Sequence, residues 1–307
     1  MEKMILSFDS QNLNAIQACP RKAQLQFIEN LQPQTKAPAL EKGSLLHNVM
    51  EIADGLIGNC ANFESDTWIA LSEAGLFNLS SSNDLTQGIR EEKVNFALEA
   101  GKFFASKLAI DSETASSVLY QAKEYYEFYK SDPWSTLCVE EVATRIIYET
   151  DEVQVLYSGK IDRVVEQGMI HAPMDHKSSE RRQDPSSLSN QFIGYCWLLG
   201  MNHIIIDKIG FQKTLKPVER FQRYILTIDD QRIKEWEENT IWWIKSYWEN
   251  HLKTGHFPMN LTSCDKYGSC TYSSICESNP EGREWKKERD FIIGEVWDVA
   301  SVLEGSK

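Results

Sequence analysis

The spacing of apolar residues follows a helical period through much of the first 130 residues. In the segment that begins at Gly43, for example, Leu45, Leu46 and Val49 place apolar side chains on one face of a helix. Residues 31–42, just before it, contain two prolines and are predicted to form a loop. The first part of the chain is therefore predicted to be mainly helical.

The pattern changes near Glu140. Segments rich in β-branched and aromatic residues follow, and such residues favour strands. Strands are predicted at residues 142–148, 153–165, 169–175, 204–211 and 221–228. Helices are predicted at residues 187–199, from 229 to about 253 and from 281 to about 303. Strands and helices thus share the second half of the chain.

The composition is that of an ordinary globular protein, with 42% hydrophobic and 25% charged residues over 307 positions. The net charge of −13 argues against a protein that coats nucleic acid through many contacts with phosphates. It argues less against an enzyme that engages DNA transiently through metal ions, because a local field can differ from the net charge. We find no signal peptide and no apolar run near the roughly 20 residues of a membrane span. These features predict a cytoplasmic protein with no membrane partner.

The candidate chemistry lies on the second and third predicted strands. Asp162 follows Gly-Lys-Ile on one strand, and Asp175-His176-Lys177 ends the next. Because side chains alternate along a strand, Asp175 and Lys177 lie on the same face. Carboxylates bind hard cations such as Mg²⁺ and Mn²⁺, which activate water for the hydrolysis of a phosphodiester. His176 points to the other face, but its backbone carbonyl is also a candidate ligand.

An Asp-x-Lys motif alone is common in surface ion pairs, so further residues decide its meaning. Gln191 and Tyr195, four residues apart, share one face of the following predicted helix. Upstream, Gly43 and His47 form the pattern Gly-x-x-x-His inside the apolar stripe. Together these motifs resemble those of the PD-(D/E)XK nuclease superfamily, specifically its RecB-like exonuclease branch. That branch includes the AddB nuclease domain and the CRISPR-associated RecB-like exonucleases.

The resemblance implies a role for each matching residue. The implied catalytic residues are Asp162, Asp175, Lys177, Gln191 and Tyr195. The implied ligands of Mg²⁺ or Mn²⁺ are His47, Asp162, Asp175 and, through its carbonyl, His176. A lone histidine like His47 would otherwise be interpreted as a residue at the edge of the core.

The resemblance also implies a fold. It covers residues 10–52 and 155–277 and implies an α/β protein with a restriction-endonuclease-like core, in which helices flank a mixed central sheet. Residues 1–307 are accordingly expected to form a single nuclease domain. Residues 55–140 lie outside the resemblance, are mostly helical in pattern, and are expected to form an insertion or lid within that domain.

A cysteine cluster is expected near the C-terminal end, in residues 258–280. Cys264, Cys270 and Cys276 are spaced by five residues each, and we expect the seven cysteines of the chain to be reduced. In the resembling nucleases an N-terminal cysteine joins three C-terminal cysteines around a [4Fe–4S] cluster, and Cys19 matches that position. Four thiolates also suit Zn²⁺, although the five-residue spacing is wider than that of most zinc sites. A segment that binds no metal is the third alternative.

The resemblance therefore implies a metal-dependent deoxyribonuclease, an exonuclease that acts on single-stranded DNA or DNA ends. Recombination, repair, phage and CRISPR-related DNA processing are all compatible contexts. The alternatives are a non-catalytic module that binds DNA ends or forms complexes, a structure- or sequence-specific endonuclease, and an RNA nuclease. The chain lacks the helicase motif G-x-x-x-x-G-K-[ST]. Any unwinding is therefore expected to come from a helicase or from a recombination or CRISPR partner protein.

Overall fold

The protein has a mixed α/β fold, in which helices flank a mixed central sheet. The computed structural model describes residues 3–35, 38–78, 82–179, 184–265 and 269–294. The chain divides into two compact units, and each is described by itself. Unit 1 comprises Met1–Lys36, Thr144–Gly159 and Asp230–Lys307, and unit 2 comprises Ala37–Ala143 and Lys160–Asp229.

The helices are bounded by recognisable caps. The side chain of Asp9 accepts a hydrogen bond from the backbone N–H of Asn12, and the backbone N–H of Asp9 donates to Oδ1 of Asn12, which starts the first helix. Gly200, with φ of 66°, ends the eighth in the left-handed conformation that glycine adopts without strain. In the described residues, the α-helices are α1 (Ser10–Ala18), α2 (Pro20–Ala23), α3 (Pro38–Gly58), α4 (Asp66–Glu73), α5 (Ser82–Gln87), α6 (Arg90–Lys107), α7 (Ser112–Phe128), α8 (Asn190–Leu199), α9 (Pro217–Arg220), α10 (Asp230–Tyr247), α11 (Ser273–Glu277) and α12 (Pro280–Asp290).

The strands form one mixed sheet and one small ribbon. The strands of the described residues are β1 (Met4–Phe8), β2 (Leu31–Pro33), β3 (Ser135–Glu149), β4 (Val153–Gln167), β5 (Ile170–Ser179), β6 (His203–Gly210), β7 (Phe221–Thr227) and β8 (Phe291–Ile293). The pairing order is β1-β4-β5-β6-β7, with β3 also paired to β4, and β2 pairs with β8. Pairs β1–β4 and β5–β6 are parallel, whereas β4–β5 and β6–β7 are antiparallel.

Unit 2 contains the larger hydrophobic core. Helices α3, α6 and α7 pack together through residues such as Leu46, Met50 and Tyr125, and Ile209 and Phe221 of the sheet join this core. Helix α8 packs against β5 and β6, and α3 also contacts β5. Burial of these apolar faces is the main force that holds the helices on the strands.

Unit 1 contains the first part of β4 and both ends of the chain. Strand β1 pairs with β4 from Met4 opposite Val153 to Phe8 opposite Tyr157. A satellite core packs beside the ribbon, and it is formed by Leu25, Leu31, Tyr272, Ile275 and Phe291.

The structure confirms the five predicted strands, with shifted bounds, and corrects two other predictions. Residues 31–42 are not simply a loop, because β2 and the start of α3 lie within them. The predicted terminal helix is too long: it ends at Asp290, where β8 begins, and residues 295–303 lie outside the described residues. β8 pairs with β2 and places Phe291 opposite Pro33, so strand pairing outweighs local helical pattern there. Residues 266–268 of the predicted cysteine segment also lie outside the description.

None of the described helices is long and apolar enough to span a lipid bilayer.

Candidate active site

Strands β4 and β5 bring the two candidate aspartates together in unit 2. The strands pair antiparallel with Arg163 opposite Met174, and continuing this register by one residue sets Asp162 opposite Asp175. Directly opposed residues point to the same face of a sheet, so both carboxylates lie on one face. The backbone N–H of His176 donates a 2.8 Å hydrogen bond to Oδ2 of Asp162 and holds this side chain beside β5.

Lys177 projects from β5 on the same face as Asp175. Its Nζ lies 2.8 Å from Oδ2 of Asp175 and 3.1 Å from Oδ1. Asp175 is fully buried, whereas 41% of the Lys177 side chain is exposed, so the ammonium faces the open side of the site. Burial lowers the pKa of Lys177, but the charges of Asp175 and Asp162 outweigh burial and raise it. The lysine is therefore a permanent cation at the entrance.

His47 reaches the same place from α3. Its Nδ1 lies 3.4 Å from Oδ2 of Asp162, and about a third of the side chain is exposed. Burial lowers the pKa of His47 in spite of the attraction of Asp175, which favours the neutral imidazole that binds metal ions. A Cβ added to Gly43, one turn earlier, would lie 3.6 Å from Oγ of Ser178, so α3 runs close to the end of β5.

The donors of this site fit a hard divalent cation. Burial, and then the charge of Asp175, raise the pKa of Asp162 to about 7, because two close carboxylates repel each other away from water. Oδ2 of Asp175 is buried and accepts no well-directed hydrogen bond from the described residues. A bound cation would offset both the burial and the repulsion. No three His, Cys, Asp or Glu side chains of the described ranges are grouped as a complete metal site.

Helix α8 supports the site through a hydrogen bond to the backbone of β4. Nε2 of Gln191 donates to the hydroxyl of Tyr195 at 3.0 Å, and that hydroxyl donates to the carbonyl oxygen of Lys160 at 2.6 Å. Lys160 precedes Asp162 by two residues on β4. The two side chains on α8 therefore fix the backbone of β4 next to a candidate ligand.

The side chain of His176 lies on the opposite face of β5 from the aspartates. It is buried, with its ring edge-on to that of Tyr125 at a centroid distance of 6.0 Å. Its Nε2 lies 3.6 Å from Oδ2 of Asp54. The imidazole thus points into the core, and the backbone of His176 is the part that borders the site.

The sequence comparison decides the family of this site. The family model of the PD-(D/E)XK nuclease superfamily matches residues 10–277, which include all the site residues described above. The chain belongs to the PD-(D/E)XK nuclease superfamily. The resemblance predicted from the motifs is therefore confirmed at the level of the superfamily, while the RecB-like branch stays a prediction.

Comparisons with other proteins add little to this assignment. Thirteen chains of solved structures match this nuclease. One, described as "Crystal structure of SSO0001", is 17% identical and aligns over 60% of this chain and 79% of its own, with a TM-score of 0.32. No curated protein matches significantly.

Glu140 lies beside the site of the nuclease, although no motif in the sequence indicates it. Its Oε2 lies 2.5 Å from Nζ of Lys160, and its charge adds to the effects of burial and Asp175 on the pKa of Asp162. Its φ of 52°, within β3, is in the left-handed region that residues other than glycine rarely adopt. The available signal was the pair Glu140-Glu141, which interrupts the alternation of that strand.

Glu51 is a second residue that the motifs do not indicate. It follows His47 by one helical turn on α3, is buried, and accepts hydrogen bonds from the hydroxyls of Ser65 and Thr67. Burial raises the pKa of Glu51, and the charge of Glu140 adds to this. Its four-residue spacing from His47, inside an apolar stripe, was the signal that could have identified it.

The four predicted cluster cysteines lie together in unit 1. Cys19, Cys264, Cys270 and Cys276 line one cavity of about 1040 Å³. All are free thiols. Burial raises the pKa of Cys264 and of Cys276, and neighbouring cysteines of the set add to both shifts. Cys270 and Cys276 also pack against the satellite core, which covers one side of the set.

Hydrogen bonds join the two chain segments that carry these cysteines. The backbone N–H of Asn260 donates to Sγ of Cys19 at 3.3 Å. The side chains of Asn260 and Ser263 both donate to the carbonyl oxygen of Ala18 at 2.8 Å. Nε of Arg21 donates to the carbonyl oxygen of Phe257 at 3.0 Å. The protein therefore holds the segments together through its own polar groups.

Proposed function

We propose that this nuclease is a metal-dependent DNA exonuclease of the RecB-like branch, acting on single-stranded DNA or on DNA ends. The observation that supports this most strongly is the grouping of His47, Asp162, Asp175 and Lys177 at one place in unit 2. A helix and two strands bring two carboxylates, an imidazole and an ammonium to one place, as a common metal site requires.

The chemistry of the group suits hydrolysis of a phosphodiester. When bound, Mg²⁺ or Mn²⁺ supplies positive charge at the phosphate and lowers the pKa of a coordinated water. His47, Asp162, Asp175 and the carbonyl of His176 would hold the ion. Lys177 keeps its positive charge at the open side, where it stabilises the negative charge that develops on the phosphate. Gln191 and Tyr195 hold β4 in place next to Asp162.

The strongly negative net charge of the chain argues against tight coating of DNA and weighs less against transient engagement through the ion. A protein with a net charge of −13 gains little from long-range attraction to phosphates. A helicase, or a recombination or CRISPR partner, would instead deliver the DNA and raise its local concentration at the site. The DNA-processing context itself, whether recombination, repair, phage or CRISPR-related, is part of this proposal.

We assign a [4Fe–4S] cluster to Cys19, Cys264, Cys270 and Cys276. The four thiols line one cavity, and the satellite core packs against Cys270 and Cys276, which would limit the access of solvent to a bound cluster. Zn²⁺ suits the same four thiolates and is the alternative. The cluster would act as a structural link between segments distant in the chain.

The domain assignment also belongs to this proposal. Residues 1–307 are taken as one nuclease domain, and residues 55–140 as a helical insertion or lid. In support, α4 to α7 belong to the same unit as the site and share its core with α3, the helix that carries His47.

The test is digestion of end-labelled DNA by the purified chain with Mg²⁺ or Mn²⁺. The substrates are linear single-stranded DNA, linear duplex DNA, circular single-stranded DNA and an RNA of the same sequence. We expect stepwise loss of nucleotides from linear DNA and resistance of the circle. Cleavage of the circle would favour an endonuclease, cleavage of RNA alone an RNA nuclease, and binding of ends without cleavage a non-catalytic module.

Two variants identify the site in this assay. Asp175→Asn removes one buried carboxylate charge and is expected to abolish cleavage. Asp151→Asn makes the same change at an exposed position of unit 1 and is expected to leave cleavage intact. Full activity of the Asp175→Asn variant would contradict the proposed site.

A further inference from the structure

Asp54 is a buried carboxylate with no role in the chemistry described above. It lies on α3, seven residues after His47, so the two side chains are about two turns apart on the same side of the helix. Only 3% of the residue is exposed. A carboxylate is rarely placed in such a position without compensating partners.

Two of the partners of Asp54 are the neighbours of two candidate ligands, and the hydroxyl of Tyr126 also interacts with its carboxylate. Oδ1 of Asp54 lies 3.6 Å from Nη1 of Arg163, the residue that follows Asp162 on β4. Oδ2 lies 3.6 Å from Nε2 of His176, the residue that follows Asp175 on β5. Both partners are also buried. Asp54 therefore contacts β4 and β5 at the residues that follow the two aspartates. Its own helix, α3, carries His47, the third candidate ligand side chain.

Arg163 is fixed to its surroundings by other bonds. Its Nε donates to Oγ1 of Thr136 at 2.7 Å, and its Nη1 lies 4.0 Å from Oδ2 of Asp132. Loss of the Asp54 charge would thus leave the guanidinium with a hydroxyl and a second carboxylate. The fold has an alternative way to compensate Arg163, so its charge alone does not require Asp54.

The side chain of His176 is also in contact with a residue of the core. Its ring lies edge-on to Tyr125, whose hydroxyl donates to Oδ2 of Asp207, the residue opposite His176 on β6. Arg223 in turn donates to both carboxylate oxygens of Asp207 at 2.6 Å. The ring of Tyr125 thus packs against the imidazole and is itself held in place, but none of these hydrogen bonds reaches Nε2 of His176.

Two polar atoms, Oδ2 of Asp54 and Nε2 of His176, take part in none of the hydrogen bonds described above. Each is buried, and neither has a hydrogen-bond partner in the described parts of the chain. They face each other across 3.6 Å. The interaction between them is therefore what compensates the burial of both atoms, and it joins α3 to β5 at the level of the active site.

We propose that Asp54 is a positioning residue that sets the spacing of His47, Asp162 and Asp175, and thereby the affinity of the site for its divalent cation. This inference rests on the proposed function, because it presumes that these three side chains bind the ion. Asp54 acts through Arg163 and His176 and does not touch the ion. Partners that orient metal ligands in this way typically contribute 10-fold to 100-fold to affinity.

The test is the affinity of the full chain for Mn²⁺, measured by calorimetry in wild type and in Asp54→Asn. The variant keeps the size of the side chain and removes its charge. We expect the Kd for Mn²⁺ to rise by about 10-fold, at the lower end of the range for residues that support metal ligands. The Mn²⁺ concentration for half-maximal DNA cleavage should rise by the same factor.

Glu124→Gln is the matched control. Glu124 pairs with the buried Arg220 at 3.2 Å in the same unit, and Arg220 keeps a 2.6 Å hydrogen bond to Gln121 when that charge is removed. Both variants thus remove one carboxylate from a buried arginine that retains a second partner. If Asp54 is only structural, Asp54→Asn should lower the melting temperature and, like Glu124→Gln, leave the Kd for Mn²⁺ unchanged. An unchanged Kd in Asp54→Asn would overturn the proposal.

Two further outcomes have a defined meaning. If Asp54→Asn does not fold, His176→Leu tests the same link from β5, because leucine has no polar atom to pair with Asp54, and it leaves Asp54 beside Arg163. Wild-type affinity in that variant would overturn the proposal. If wild-type protein itself binds no Mn²⁺ and cleaves no DNA, the proposed function fails first. If the wild-type protein binds Mn²⁺ and cleaves DNA, and the Asp54→Asn variant does both equally well, only the proposed role of Asp54 is rejected.

Discussion

Lys177 shows how a single residue can serve both the stability and the chemistry of this site. Its ammonium compensates the buried carboxylate of Asp175, yet much of its side chain remains exposed. A substrate phosphate can therefore approach the cation without displacing it from the protein. In the proposed mechanism, the buried aspartate would hold the ion and the exposed lysine would meet the substrate.

Lys177→Met is expected to reduce DNA cleavage by at least about 100-fold, the loss typical of removing one stabilising donor. Mn²⁺ binding should be retained or tightened, because the ammonium no longer competes for Asp175. Rates of cleavage and calorimetric Mn²⁺ titration measure the two effects. Lys213→Met removes a cation that lies over the ring of Tyr120 in the same unit and serves as the control. Near-normal cleavage by Lys177→Met would contradict the assigned role.

Tyr195→Phe tests the support of β4 by α8. The variant removes the hydroxyl that donates to the carbonyl of Lys160, so the free energy of unfolding should fall by about 1 kcal/mol. Cleavage should also fall, but by less than in Asp175→Asn, since the ligands themselves remain. Chemical denaturation and the DNA assay measure these quantities.

Tyr272→Phe is the control for that experiment. Tyr272 is also buried, and its hydroxyl donates to the carbonyl of Leu31 at 2.8 Å in unit 1. We expect a similar loss of stability with normal cleavage. Equal losses of cleavage in both variants would mean that Tyr195 acts through stability alone.

At the scale of elements, α3 has the largest influence on the site. It carries His47 and Asp54 on one side and packs against α6 and α7 on another. The close approach of α6 occurs at Gly101, where an added Cβ would lie 2.7 Å from Cγ2 of Val49 and 2.5 Å from Cδ2 of Leu119. The position of α3 thus depends on a residue without a side chain on a neighbouring helix.

Gly101→Val is expected to lower the free energy of unfolding by about 1–3 kcal/mol, the usual result of overpacking a core. Urea denaturation measures the effect. Lys102→Val places the same β-branched residue at the next, exposed position of α6, where the loss of helix propensity costs less than about 1 kcal/mol. If Gly101→Val and Lys102→Val had the same free energy of unfolding, close packing at Gly101 could not be the cause of the destabilisation.

The elements also differ in how far the sequence predicts them. β4 was predictable because it is rich in β-branched and apolar residues, and β5 because it follows the turn at Gln167-Gly168. β2 and β8 were not, because each has three residues and its pairing partner lies about 260 positions away. Local pattern carries no information about a partner at that distance, and β8 was therefore assigned to a helix.

At the scale of the whole chain, the four cysteines of the proposed cluster lie on segments that are far apart in sequence. Cys19 and Cys264 are about 245 residues apart, and closing so long a loop restricts the unfolded chain strongly. The polar contacts between Ala18, Cys19 and Asn260 already join the same segments. A metal cluster would reinforce a junction that the protein forms in part by itself.

Cys19→Ala is expected to lose most of its iron and to melt at a lower temperature, because one thiolate of four is missing. Iron analysis, visible absorption and thermal denaturation measure these changes. Cys60→Ala, in unit 2, removes a cysteine that is remote in sequence from the set and should keep both properties. A Cys19→Ala variant with full iron and an unchanged melting temperature would reject the cluster. Zinc in place of iron in the wild-type protein would support the alternative metal.

The sequence by itself determined the superfamily and the principal strands, because these depend on short motifs and on local periodicity. Asp175 and Lys177 could be placed on one face because side chains alternate along a strand, and together with Asp162 they were recognisable as candidates from the set of motifs. Glu140 and Asp54 were not, because their importance comes from what they face after folding. Packing between residues of distant segments brings Glu140 and Asp54 near the site, and only the tertiary structure decides that proximity.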